Sequence, residues 1–133
     1  MSQLSPSPAG REGVMVLGGV LAAGALRALA DEPSRRILAS ALSGAKKANE
    51  ISEEQAIPMS SCYRKIHELV EQGLLVVDRI FVTGDGKRYA TYRSTFKSVE
   101  MVSDTSGIMV YAELNEAAAE KFRQQMLHIS GAS

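Results

Sequence analysis

Apolar positions change their period several times along the chain. From Val14 to Ala30 the sequence is rich in Leu, Val and Ala and uncharged until Arg27. The run predicts a helix, with a strand at its start as the alternative, because Gly18, Gly19 and Gly24 each cost a helix roughly 1 kcal/mol relative to alanine. Its small residues would let another backbone approach closely, and its apolar surface needs a cover. Asp31-Glu32-Pro33 predicts a restart, since proline suits the first helical turn and acids suit the positive end of the helix dipole. Ile37, Leu38, Ala41 and Leu42 then recur at helical spacing until Ser43-Gly44 stops the element. Another helix is predicted from Lys47 or Ala48 to about Gln55, with Ile51 and Ala56 inward and Glu50, Glu53 and Glu54 outward. The following Ile57-Pro58 ends it, because a residue before proline is pushed out of helical geometry.

A third helix is expected from about Pro58 to Gln72. Cys62, Ile66, Leu69 and Val70 form its apolar stripe, while Ser60, Ser61, Tyr63, Arg64 and His67 fall on the other side, and Gly73 closes it. After Gly73 the period drops to two. Leu74 to Val82, the turn Thr83-Gly84-Asp85-Gly86 and Lys87 to Ser94 predict a hairpin with Lys87 and Arg88 beside its tip. A second hairpin, Val99 to Val102 and Ile108 to Leu114, is expected around Asp104-Thr105-Ser106-Gly107. Asn115 then reads as the cap of a last helix, with Ala119, Phe122, Met126 and Ile129 as its apolar stripe, a core or dimer seam.

At 133 residues and 45% apolar content the chain suits one compact core. Residues 1–12, with two prolines and no apolar period, are expected to be a disordered arm. The one cysteine, Cys62, has no intramolecular disulfide partner, and two histidines are few for a metal site, so a reducing, cytoplasmic setting is expected. Cys62 lies on the apolar stripe and reads as a small buried hydrophobe. The uncharged run Gly13 to Leu26 has 14 residues, short of the roughly 18 a membrane span needs, so no membrane partner is expected. No nucleophile elbow, phosphate-cradling glycine loop or zinc spacing is present, and neither catalysis nor a cofactor is expected.

The formal net charge is zero, but its distribution is uneven. Between Ser60 and Lys97 seven basic residues face four acidic ones, a net +3 that leaves −3 for the remainder. One mildly basic side would suit a polyanion.

The stretch Ala48 to Leu75, ANEISEEQAIPMSSCYRKIHELVEQGLL, resembles the helix-turn-helix of archaeal and bacterial ArsR-type and MarR-like transcriptional regulators. The preceding LRALADEPSRRILASAL, Leu26 to Leu42, is similar to the helix pair that opens an ArsR-type domain, and the tail is similar to what small archaeal members append. The resemblance implies an α+β winged helix-turn-helix: a three-helix core plus a β-hairpin wing, with an N-terminal helix, a C-terminal β-hairpin and a final helix. The organisation expected is an arm over 1–12, a DNA-binding domain over 13–97 and a dimerisation extension over 98–133.

What the resemblance implies about function is sequence-specific binding of double-stranded DNA by a homodimer, in transcription regulation. The recognition helix 58–72 would enter the major groove, and the wing 75–94 would lie on adjacent backbone or minor groove. Ser60, Ser61, Tyr63 and Arg64 are the candidate base contacts, with Arg64 suited to a bidentate grip on guanine. Lys65 and His67 are candidates for phosphate, and Lys87 and Arg88 for the minor groove or its phosphates. Arg35 and Arg36 read as a solvated helix face, and Tyr89 and Tyr92 as hairpin packing. Two departures stand out. No paired-cysteine metal motif precedes the recognition helix, and Ala56 stands where many relatives have glycine. No residue cluster identifies a small-molecule effector. The alternative function is a winged helix that docks on the transcription machinery without specific DNA binding.

Overall fold

The computed structural model describes residues 8–129, with side chains through Leu127. The expected arm falls mostly outside these residues, and so do the side chains of His128 and Ile129. The elements in order are β1 (Val14–Leu17), α1 (Gly19–Leu29), α2 (Glu32–Ser40), β2 (Lys46–Lys47), α3 (Ala48–Gln55), α4 (Met59–Glu71), β3 (Leu75–Val82), β4 (Arg88–Ser94), β5 (Phe96–Asp104), β6 (Gly107–Leu114), a 3-10 turn at Glu116–Ala118, and α5 (Ala119–Ile129). The strands form two antiparallel sheets, ordered β1-β6-β5 and β2-β4-β3. This is a mixed α+β architecture in which no helix among the described residues is long and apolar enough to cross a membrane.

The helix expected from Val14 to Ala30 divides in two. Val14 to Leu17 is a strand paired with β6, Val14 opposite Glu113 and Leu17 opposite Val110, and α1 follows only at Gly19. Branched Val14 and Val16 favour the pleated conformation, Gly18 is extended, and Gly19 turns the chain at φ +54°. The hydrophobic run therefore serves two elements with different periods. The close approach expected of its small residues occurs at Gly24, where an added Cβ would lie 2.7 Å from the Cβ of Gln72 at the end of α4.

Asp31 caps α2, accepting the Ser34 backbone N–H at 3.1 Å and its hydroxyl at 2.6 Å. Arg35 and Arg36, expected to be a solvated face, each donate 2.6 Å hydrogen bonds to backbone carbonyls at helix ends, Leu29 of α1 and Gln55 of α3. At the far end of α2, the Ser94 hydroxyl donates to the Leu38 carbonyl at 2.5 Å and the Ser94 N–H to the Ala41 carbonyl at 3.1 Å, tying α2 to β4. The turn from α3 into α4 passes through Ala56 in the left-handed region, φ 52° and ψ 46°. It is held by the Ile57 N–H on the Ser52 carbonyl at 3.0 Å and by the Ser52 hydroxyl on the Ile57 carbonyl at 2.6 Å.

One core serves both sheets. Ile37, Ile51, Cys62, Ile66, Leu69, Leu74 and Leu75 share it with Leu17, Phe96, Val110 and Ala112 of the β1-β6-β5 sheet. The division expected at residue 97 falls inside β5, which begins in that core at Phe96. Phe122 of α5 meets Phe96 edge-on with ring centres 5.5 Å apart. Gln125 clasps Val77, its amide nitrogen donating to the Val77 carbonyl at 3.1 Å and its oxygen accepting the Val77 N–H at 3.4 Å. The cap role expected of Asn115 is present, with its side-chain oxygen accepting the Ala117 N–H at 3.2 Å.

Candidate nucleic-acid interface

Helix α4 owes its position to its inward stripe. Cys62 and Ile66 are fully buried and Leu69 nearly so, which at about 1.5 to 3 kcal/mol per large side chain fixes the rotation of the helix. The Cys62 thiol donates to the Ala48 carbonyl at 3.7 Å, and burial pushes its pKa up, so it stays protonated. Ser60, Tyr63, Arg64 and His67 consequently face outward and are exposed, with Ser61 half-buried at the rim. The Tyr63 and His67 rings lie 6.1 Å apart, tilted. Arg64 pairs with Glu68 one turn on, at 3.4 Å. An exposed i,i+4 pair is worth only about 0.3 to 0.5 kcal/mol, so the guanidinium can leave it for a stronger acceptor. Glu71 shares the same face.

Lys65 departs from the expectation. Its ammonium lies 2.8 Å from the Asp31 carboxylate and its side chain is 17% exposed, against 62% for neighbouring Arg64. One residue along a helix is about 100° of rotation, and here it turns the cation toward the cap of α2 instead of the outer face. Lys65 first, and Ser34 second, hold the Asp31 carboxyl down to a pKa of about 2. This pair fastens α4 to α2 and aims the outward face.

Strands β3 and β4 form the first hairpin, with a bulge between Val77 and Arg79. At its tip the Thr83 N–H donates to the Lys87 carbonyl at 2.7 Å, and Gly86 takes φ +85°. Asp85 accepts the Thr83 hydroxyl and the Lys87 N–H, which lower its pKa and commit its carboxylate to the turn. Lys87 and Arg88 project from that tip, both exposed. Below them Phe81 stacks on Tyr89 at 5.0 Å, and the Lys47 ammonium lies 5.1 Å from the Tyr89 ring centre. Tyr92 is buried, as packing requires, and burial raises its pKa.

A notch joins the helix to the hairpin. Met59 and Tyr63 of α4, Lys47 and Asn49 at the start of α3, and Tyr89 of β4 line it. Lys47 and Asn49 were not among the residues singled out from the sequence. The available signal was the Lys46-Lys47 pair ahead of α3, legible only as a helix start until strand β2 set Lys47 opposite Thr91 of the hairpin. Lys46 itself is 2.7 Å from Glu54.

Ion pairing reshapes the charge count. Of the seven basic residues between Ser60 and Lys97, four pair with acids: Arg64 with Glu68, Lys65 with Asp31, Arg93 with Asp78 and Lys97 with Glu113. Arg79, Lys87 and Arg88, all on the hairpin, make no ion pair among the described residues, and within the same stretch they stand against Glu71 and Asp85, which make none there either. No group of three or more His, Cys, Asp or Glu able to hold a metal occurs among those residues. No protein-family model, curated protein or solved structure matches this chain.

Proposed function

We propose that this protein is a sequence-specific double-stranded DNA-binding transcriptional regulator built as a winged helix-turn-helix. The carrying observation is the outward face of α4, with Ser60, Tyr63, Arg64 and His67, joined through the Lys47-Tyr63-Tyr89 notch to a hairpin whose tip presents Lys87 and Arg88. The order α2, β2, α3, α4, β3, β4 is that of a winged helix. In this reading α4 enters the major groove by its first two turns, where Arg64 grips a base edge and Ser60 and Tyr63 flank it. The hairpin rests on the neighbouring strand, and Lys47 and Asn49 meet the backbone between the two.

Fluorescence anisotropy against duplexes selected from a random pool, with a scrambled duplex as control, tests this reading. Arg64→Ala should lose about 1 to 3 kcal/mol on the selected duplex and little on the scrambled one. A second reading, docking on a protein of the transcription machinery, is favoured by Glu68 and Glu71 on the α4 face and by exposed Ile80, Phe81 and Val82 on the hairpin. Absence of binding to any duplex at low salt would put that reading first.

A further inference from the structure

Among the described residues, the sheet edges left open differ in how they are protected. An unpaired strand edge invites another strand, and proteins blunt it with charge, bulges or a covering group. Strand β5 carries Lys97, Glu100 and Asp104 and a register break between Phe96 and Ser98. Strand β3 carries Asp78, Arg79 and its own bulge, and Gln125 occupies both backbone groups of Val77. Strand β2 is two lysines long. Strand β1, Val-Met-Val-Leu, has no charge, no proline and an unbroken register with β6, and of its backbone groups only the Val14 N–H is taken up by the preceding turn, donating to the Arg11 carbonyl at 3.2 Å. Val16 is 57% exposed on it.

We infer that β1 is a self-pairing edge: Val14–Leu17 of one chain adds antiparallel to the same strand of a second copy, joining two β1-β6-β5 sheets into one of six strands. A two-fold axis normal to the sheet satisfies both strands at once, as an isologous contact must, and it keeps the helices of both copies on one side. Opposed residues of an antiparallel pair share a face, so the axis passes beside Met15 or Val16. In either register Val16 lies opposite, or one diagonal step from, its own counterpart, and no like charges meet.

A four-residue ladder alone is too short to hold two proteins together. The register extends the apolar surface at the Leu17 end, because Val110 stands opposite Leu17, and Met109 and Ile108 come next on β6. Both are exposed, as is Val20 at 66% in the first turn of α1. Residues ahead of β1 leave the edge toward the far strand, where Arg11 pairs with Glu100. This inference rests on the edge and not on the DNA reading, and its test contains no DNA.

The experiment is sedimentation of the full chain at micromolar concentration, with Val16→Lys, Val16→Glu and an equimolar mixture of the two. Wild type should run as a dimer. Each variant should run as a monomer, with association at least tenfold weaker and unchanged circular dichroism, since the side chain is exposed; its unfolding midpoint should match that of wild type diluted below its dissociation constant. The mixture should recover the dimer mass. A monomeric wild type, variants that both stay dimeric, or a mixture that stays monomeric would each overturn the inference.

Discussion

The two hairpins of this chain have the same plan and opposite surfaces. Both are antiparallel, both rise from the common core, at Leu75 in one and Phe96 in the other, and both end in exposed tips. The β3–β4 tip presents Lys87 and Arg88, and its one acid, Asp85, is held within the turn. The β5–β6 tip has Asp104, whose pKa is lowered by the Ser106 hydroxyl and backbone, beside exposed Met101, Ile108 and Met109. Backbone geometry is therefore silent about the partner, and the side chains at the ends of the strands decide it. One tip is basic and the other is apolar beside its acid. The same contrast recurs on α4, where Arg64 faces outward and Lys65, one residue on, is tied to Asp31.

The largest expected effect lies where the hairpin meets the core. Leu75→Ala should destabilise by about 2 to 4 kcal/mol in urea titration, because Leu75 is fully buried at the root of β3. Val82→Ala at the exposed end of that strand should cost less than about 0.5 kcal/mol. Equal costs would mean that root and tip are not energetically distinct.

The contrast between tips sharpens with charge. Lys87→Ala combined with Arg88→Ala should weaken duplex binding and reduce the salt slope by about 2, one for each phosphate left without its cation. Asp104→Ala on the other tip should leave both unchanged. A slope unaffected by the double substitution would remove the β3–β4 hairpin from the proposed interface.

On α4, Asp31→Asn retains a cap oxygen but removes the charge facing Lys65. With a folded pKa of about 2 against an ordinary 3.8, the ionised carboxylate contributes stability that is present above about pH 4 and lost as pH falls toward 2. The group is partly exposed, and after solvent screening the loss at neutral pH should be on the order of 1 kcal/mol. Thermal unfolding should separate variant from wild type at pH 7 and bring them together near pH 2. At the turn into α4 the expected effect is a gain. Ala56→Gly should stabilise by about 0.5 to 1 kcal/mol, since a left-handed residue with a side chain carries roughly that penalty. A loss would locate the strain of the α3–α4 turn elsewhere.

Much of this was legible in the sequence because it is local. The apolar stripe Cys62, Ile66, Leu69 marked α4 and its outward face to within a residue, Asn115 marked the last helix, and the Thr83 to Gly86 turn marked the hairpin tip. The start of the chain was harder. The Val14 to Ala30 run carries no charge before Arg27, and in so apolar a stretch period alone does not separate a strand from a helix. The arrival of β6, almost a hundred residues later, made Val14 to Leu17 a strand.

Sequence by itself determined the inward stripe of α4, Cys62, Ile66 and Leu69, because helical rotation is fixed by the backbone, whereas Leu42 and Ala56, expected inward at the ends of their helices, are exposed where the helical period stops. It also determined where turns fall and which tip is basic. Tertiary structure alone decided which charges remain available. Whether a lysine meets an aspartate 34 positions away, as Lys65 meets Asp31, depends on how α2 packs against α4. It likewise decided that Lys47 joins Tyr63 and Tyr89 in one notch, and that β1 and β5 stand at the two edges of their sheet among the described residues. These are long-range juxtapositions, set by how packed elements exclude water together, and no periodicity in the chain encodes them.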